Sequence, residues 1–112
     1  MARHDAGITL AQMRDHVREA LDIARGKTRE DFTQDRLLNL SLTRLLEILG
    51  EAANRVPPET QARHPDIPWP ELRGLRNRLI HAYDDVDLEI LWEIVTQDLP
   101  PLAETLERIA NA

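Results

Sequence analysis

The sequence predicts an all-α chain folded as a small antiparallel helical bundle. Apolar residues recur at steps of three and four along most of the 112 residues, strand-type alternation is missing, and aromatic residues make up only 4% of the chain.

From Leu10 onward, Met13, Val17, Leu21 and Ala24 line one face of a first helix, with Thr9 placed as its N-cap and Gly26 as its stop. A second helix should begin near Asp31 and run to about Arg55, carrying Leu38, Leu42, Leu45, Leu49, Ala52 and Val56 on one stripe. Leu37, Leu40, Leu46 and Ile48 widen that apolar surface, as expected of a helix that packs centrally or also faces a second subunit. A homodimer is therefore expected. Pro57 and Pro58 end this helix, and the connector through Pro65, Pro68 and Pro70 has room for one short helical turn. Pro70 suits the first turn of a third helix, where a missing amide hydrogen costs little, with Leu72, Leu75, Leu79 and Ile80 facing inward. Asp87 can cap a fourth helix striped by Leu88, Leu91, Trp92, Val95 and Leu99, and continued by Leu102, Leu106 and Ile109. Pro100 and Pro101 should kink or interrupt it.

Length sets the expectation of one domain, residues 1–112, with enough chain for a single modest core. No stretch of about 18 apolar residues is present to span a bilayer, and Met1 to Thr9 lacks the apolar region of a signal peptide, so a cytoplasmic protein with no membrane partner is expected. Without cysteine there is no disulfide, thiolate ligand or thiol nucleophile, and the four histidines show no metal-ligand spacing. Neither a metal nor a cofactor is expected. A net charge of −6 argues against a general nucleic-acid scaffold, so any RNA contact has to be local. The charge is uneven: residues 63–83 hold four arginines against two carboxylates, whereas residues 84–112 hold eight carboxylates against Arg108 alone. The basic stretch is a candidate anion site.

Within it, Arg76, Asn77, Arg78, Leu79, Ile80, His81, Ala82 and Tyr83 form the richest polar cluster of the chain. RNA cleavage without a metal needs a base for the ribose 2′-hydroxyl, a cation for the charge developing on the phosphate, and a proton donor for the leaving oxygen. Histidine titrates near neutral pH and arginine forks two phosphate oxygens, so His81 and Arg76 have the required chemistry, and Asn77 could orient either group. Five residues at about 100° each would set Arg76 and His81 roughly 140° apart on a regular helix. The problem eases if the helix ends near His81, so that the imidazole swings free, or if two copies of the motif face each other across a dimer cleft; both are expected. The same residues also fit a structural reading, with Arg76 and Arg78 in surface ion pairs and His81 as a cation at a helix C-terminus. Trp69 and Trp92 read as packing residues.

The pattern Arg76, four residues, His81, one residue, Tyr83 resembles the Arg-x4-His-x-Tyr motif of HepT proteins in the HEPN superfamily. The surrounding text is similar as well: Leu49-Gly50-Glu51-Ala52-Ala53 upstream, Ile67-Pro68-Trp69 before the motif, Leu75-Arg76-Asn77-Arg78 within it, and Val86-Asp87 through Leu91-Trp92 after it. Ala82 departs from the Gly or acidic residue common in relatives, without removing a proposed catalytic group. The resemblance implies an HEPN-type bundle, homodimeric, that acts as the toxin of an HEPN/MNT toxin–antitoxin system. It implies metal-independent endoribonuclease activity on mRNA or tRNA, with a 2′,3′-cyclic phosphate product. Arg76 and His81 would then be the catalytic pair, with Asn77 assisting and Arg73 and Arg78 binding substrate. The implied partner is a minimal nucleotidyltransferase antitoxin of the MNT type, which transfers AMP to the motif tyrosine, here Tyr83.

The rival reading is a non-catalytic nucleotide-binding or adaptor subunit of a nucleotidyltransferase complex, since a fold does not fix an activity and the sequence pI of about 5.1 suits it. A nucleotidyltransferase in its own right would need a Gly-Ser loop and paired magnesium-binding carboxylates, which this sequence lacks.

Overall fold

A computed structural model describes residues 5–81 and 85–110, and its described elements are helical apart from one isolated bridge. The first helix, α1 (Ala6–Ala24), starts earlier than its apolar period suggests. Asp5 is the cap, its carboxylate accepting the Gly7 amide at 2.8 Å, while the expected cap Thr9 lies buried inside the helix. Gly26 ends the run with φ +76°, a left-handed conformation that suits a residue without Cβ.

The expected second helix is two. A reciprocal capping box between Thr28 and Asp31 opens α2 (Arg29–Gln34), and Asp35 breaks the chain with φ −91° and ψ 98°. Asp35 then caps α3 (Arg36–Arg55) by accepting the Leu38 amide at 3.1 Å. Two strong local caps outweigh the continuous apolar period. The buried Asn39 ties the pieces together, its Nδ2 donating to the Phe32 carbonyl at 2.9 Å.

Helix α3 is central, touching α1, α2 and three helices that follow it in the chain. Leu38, Leu42, Leu46 and Leu49 are buried on its inner face; Leu45, expected there, is half-buried. Gly50 allows close packing, since a Cβ there would stand 2.9 Å from the Leu72 carbonyl oxygen. On the outer face Leu37 is 77% and Leu40 43% exposed, apolar area that the monomer leaves in water.

After Pro57 the connector holds the expected short turn, α4 (Pro58–Arg63). The buried Trp69 fastens it, its indole N–H donating to the carbonyls of Gln61 and His64 at 3.1 and 3.0 Å. The expected third helix is again two short ones, α5 (Trp69–Arg73) and α6 (Leu75–Leu79), separated at Gly74. Leu72, Leu75 and Leu79 face inward as their spacing predicts.

Asp87 caps α7 (Leu88–Glu93) through the Ile90 amide, as expected. A π-helical segment (Ile94–Asp98) then leads into α8 (Leu99–Ala110). The irregularity falls one turn before the two prolines rather than at them. Pro100 and Pro101 have no amide hydrogen, and their rings crowd the carbonyls four residues earlier, so the preceding turn widens and the Leu99 amide bonds back to the Ile94 carbonyl. Helix α1 packs on α3 and α8, closing one core cluster that runs from Leu10 to Leu106. Among the described residues, no helix is long and apolar enough to cross a membrane.

Candidate functional site

The site is built where α6 stops. After Leu79 the chain turns extended at Ile80 (φ −114°, ψ 113°), so His81 leaves the helix before its side chain would be carried round to the far side. The helix end expected from the Arg76 to His81 spacing is present.

Backbone pairing fixes where His81 goes. Ile80 forms an isolated antiparallel bridge with Val86, the His81 amide donates to the Asp85 carbonyl at 3.0 Å, and the Asp87 amide donates to the Leu79 carbonyl at 2.8 Å. This clasp sets Asp87 beside His81, with the ring Nε2 and Asp87 Oδ2 3.2 Å apart. The second carboxylate oxygen, Oδ1, accepts the Ile90 amide at 3.1 Å. The Ile90 amide first, and the His81 ring second, hold the Asp87 carboxyl below the usual carboxylate range.

Arg76 points elsewhere. Its Nε lies 3.4 Å from Glu47 Oε2 on α3; the arginine side chain is 69% exposed and the glutamate 20%. The candidate cation and the candidate proton carrier thus sit close in the chain, each held by its own carboxylate from a different element. Asn77 is exposed between Arg76 and Arg78.

The other arginines do not gather around Arg76. Arg73 donates to Gln61 Oε1 on α4 at 2.7 Å, and Arg78 reaches Asp98 in the π-helical segment at 3.5 Å. Tyr83 lies outside the described residues, as do Ala82 and Asp84. Among the described residues, no three His, Asp or Glu side chains group as a metal site.

Two partners escaped the sequence reading. Glu47 was one polar residue among many on a long helix, and nothing in its spacing pairs it with Arg76, almost thirty residues away. Asp87 was legible as a helix cap, but its second role toward His81 depends on the clasp at Ile80 and Val86, which no periodicity encodes.

The family described as ribonuclease HepT-like matches residues 13–109. A Thermococcus cleftensis protein named "Probable ribonuclease HepT" is 38% identical over 97 residues, covering 83% of this chain and 88% of its own. A Caldanaerobacter subterraneus subsp. tengcongensis protein named as a putative RNase is 36% identical over 89 residues, 80% of each chain. A Methanocaldococcus jannaschii protein, also named as a putative RNase, is 29% identical over 107 residues, 96% of this chain and 98% of its own. No solved structure matches the chain.

Proposed function

The chain belongs to the ribonuclease HepT-like family, and from that premise we propose that it is a metal-independent endoribonuclease whose catalytic residues are Arg76 and His81. The observation that carries this reading is the end of α6, where the chain turns extended so that an exposed imidazole stands five residues after an exposed guanidinium.

His81 takes the proton of a ribose 2′-hydroxyl. The 2′-oxygen then bonds to the adjacent phosphorus while the bond from phosphorus to the 5′-oxygen breaks, giving a 2′,3′-cyclic phosphate and a 5′-hydroxyl once a protonated imidazole returns the proton. Arg76 leaves Glu47 and forks two oxygens of the phosphate, offsetting the charge that grows in the transition state. Asn77 steadies the phosphate next to Arg76, and Arg73 and Arg78 exchange Gln61 and Asp98 for phosphates further along the strand.

The working unit is a homodimer joined through the outer face of α3, where Leu37 and Leu40 are exposed and Ile48 is half-buried. Arg44 and Glu51 flank this surface, 3.7 Å apart, a pairing that a two-fold contact could exchange between copies. In the cell the enzyme is a toxin cutting mRNA or tRNA beside an MNT-type antitoxin. AMP transfer to Tyr83, two residues from His81 in the sequence, would add a charged phosphodiester that opposes the RNA phosphate by repulsion and bulk.

Incubating the purified protein with total RNA and tRNA in EDTA, beside His81→Ala, tests the nuclease. Fragments ending in cyclic phosphate, lost in the variant, are expected; RNA left intact by the wild type would favour the adaptor reading.

A further inference from the structure

We propose that Asp87 is a positioning residue for His81, gripping the imidazole through Nε2 so that the ring presents Nδ1 to the ribose 2′-hydroxyl. The inference rests on the nuclease reading of His81 and adds a residue that the motif Arg76 to Tyr83 does not contain.

The carboxylate is fixed at both ends. Oδ1 is occupied by the Ile90 amide at 3.1 Å, and Oδ2 stands 3.2 Å from Nε2 of the ring. A carboxylate anchored by a backbone amide cannot rotate away from the imidazole without giving up the helix cap. The backbones of the two residues are also locked together, by the bridge between Ile80 and Val86 and the bonds from His81 to Asp85 and from Asp87 to Leu79. The geometry therefore does not depend on two long side chains finding each other in water, which makes most surface ion pairs weak. Asp87 is the less exposed partner at 29%, against 55% for His81, so the carboxylate backs the ring and the ring faces outward.

A neutral imidazole that donates from Nε2 to Asp87 carries its acceptor lone pair on Nδ1, the form that a base needs. When Nδ1 takes the ribose proton, the imidazolium forms against a carboxylate already in place, with no reorganisation required at that moment. Asp87 touches no reacting atom; its effect passes through the ring.

Asp87 also caps α7, and the test separates the two roles. Aspartate, asparagine and serine are about equal as N-caps. They differ toward the ring: with its oxygen held by the Ile90 amide, asparagine turns an NH2 donor toward Nε2 and selects the tautomer that protonates Nδ1, whereas serine does not reach the ring. Cleavage of a short single-stranded RNA of mixed sequence, labelled with a dye and a quencher, is measured for the wild type, Asp87→Asn and Asp87→Ser. A fall in kcat of about 100-fold for asparagine, at the lower end of what proton-transfer catalysis supplies, and a smaller fall for serine are expected, with KM and thermal midpoint nearly unchanged. Equal kcat in all three folded proteins would overturn the proposal, leaving Asp87 as a cap only.

A second measurement does not depend on cleavage. The carboxyl of Asp87 is titrated by carbon NMR in the wild type and in His81→Ala. Loss of the ring should raise its midpoint while the Ile90 amide retains part of the depression. An unmoved midpoint in an active enzyme removes the pair and the proposal alone. A moved midpoint with RNA left intact keeps the pair but removes the nuclease reading, and with it the pair's catalytic use.

Discussion

Gly50 and Leu72 meet where α3 passes α5, and a Cβ on Gly50 would stand 2.9 Å from the Leu72 carbonyl oxygen. The obstacle is backbone rather than a flexible side-chain tip, so α5 has to move to admit a methyl group. α5 leads directly into α6 and the Arg76 region, which makes this contact part of the floor beneath the candidate site.

Gly50→Ala should therefore destabilise the protein, although alanine is the better helix former by up to about 1 kcal/mol. Overpacking of this kind costs about 1–3 kcal/mol. Urea unfolding followed by circular dichroism should show the lower midpoint, and a midpoint above the wild type would mean that α5 yields freely.

Asn39→Ala removes the donor that satisfies the Phe32 carbonyl across the break between α2 and α3. Leaving that acceptor unpaired should cost about 1–3 kcal/mol. Hydrogen exchange should locate the loss, with amides of α2 exchanging faster than those of α1; uniform acceleration would instead point to global destabilisation.

Glu47→Gln releases Arg76 from its carboxylate while keeping a side chain of similar size. If Arg76 meets the RNA phosphate, KM should fall by about 2- to 5-fold, the range that a partly exposed ion pair supports. Steady-state cleavage kinetics measure it. A large fall in kcat with KM unchanged would recast Glu47 as a group that aims Arg76.

Leu40→Glu places a charge on the exposed apolar face of α3, where a monomer has little reason to object. Light scattering after size exclusion should report a dimer for the wild type and a monomer for the variant, with helicity retained. A monomeric wild type would remove the two-fold arrangement of motifs.

Acid should weaken the fold through two carboxylates. The Thr28 amide and then its hydroxyl hold Asp31 below its ordinary value of 3.8, as the Ile90 amide and then His81 do for Asp87. A depressed folded value means that each contribution is complete above the unfolded value and disappears as pH falls through the folded one. Melting temperature should stay level with respect to these two groups down to about pH 4 and decline below it. Asp31→Asn should show a smaller decline over that acid range, checked by circular dichroism melts.

The bundle was legible because its signal is repetitive: Leu38, Leu42 and Leu49, like Leu72, Leu75 and Leu79, occupy the inner faces that their spacing assigns. The boundaries were less legible because single polar residues decide them. Asp5 in place of Thr9, and Asp35 breaking one expected helix into two, each turn on one side chain meeting one amide. The prolines foretold trouble in the last helix, but its placement in the turn before them follows from carbonyls that the sequence does not display. At the site, the residue types and the helix end could be read in advance. The carboxylate behind each cationic group could not, because Glu47 comes from a distant helix and Asp87 is brought in by backbone pairing.

Those two carboxylates bear on how the protein would behave amid abundant RNA. Arg76 and His81 each already have an acidic companion, and the chain as a whole is negative. A passing transcript meets little long-range attraction and reaches Arg76 only by displacing Glu47. On the proposed reading, the enzyme would discriminate against RNA that cannot displace Glu47, a form of restraint that the fold itself carries.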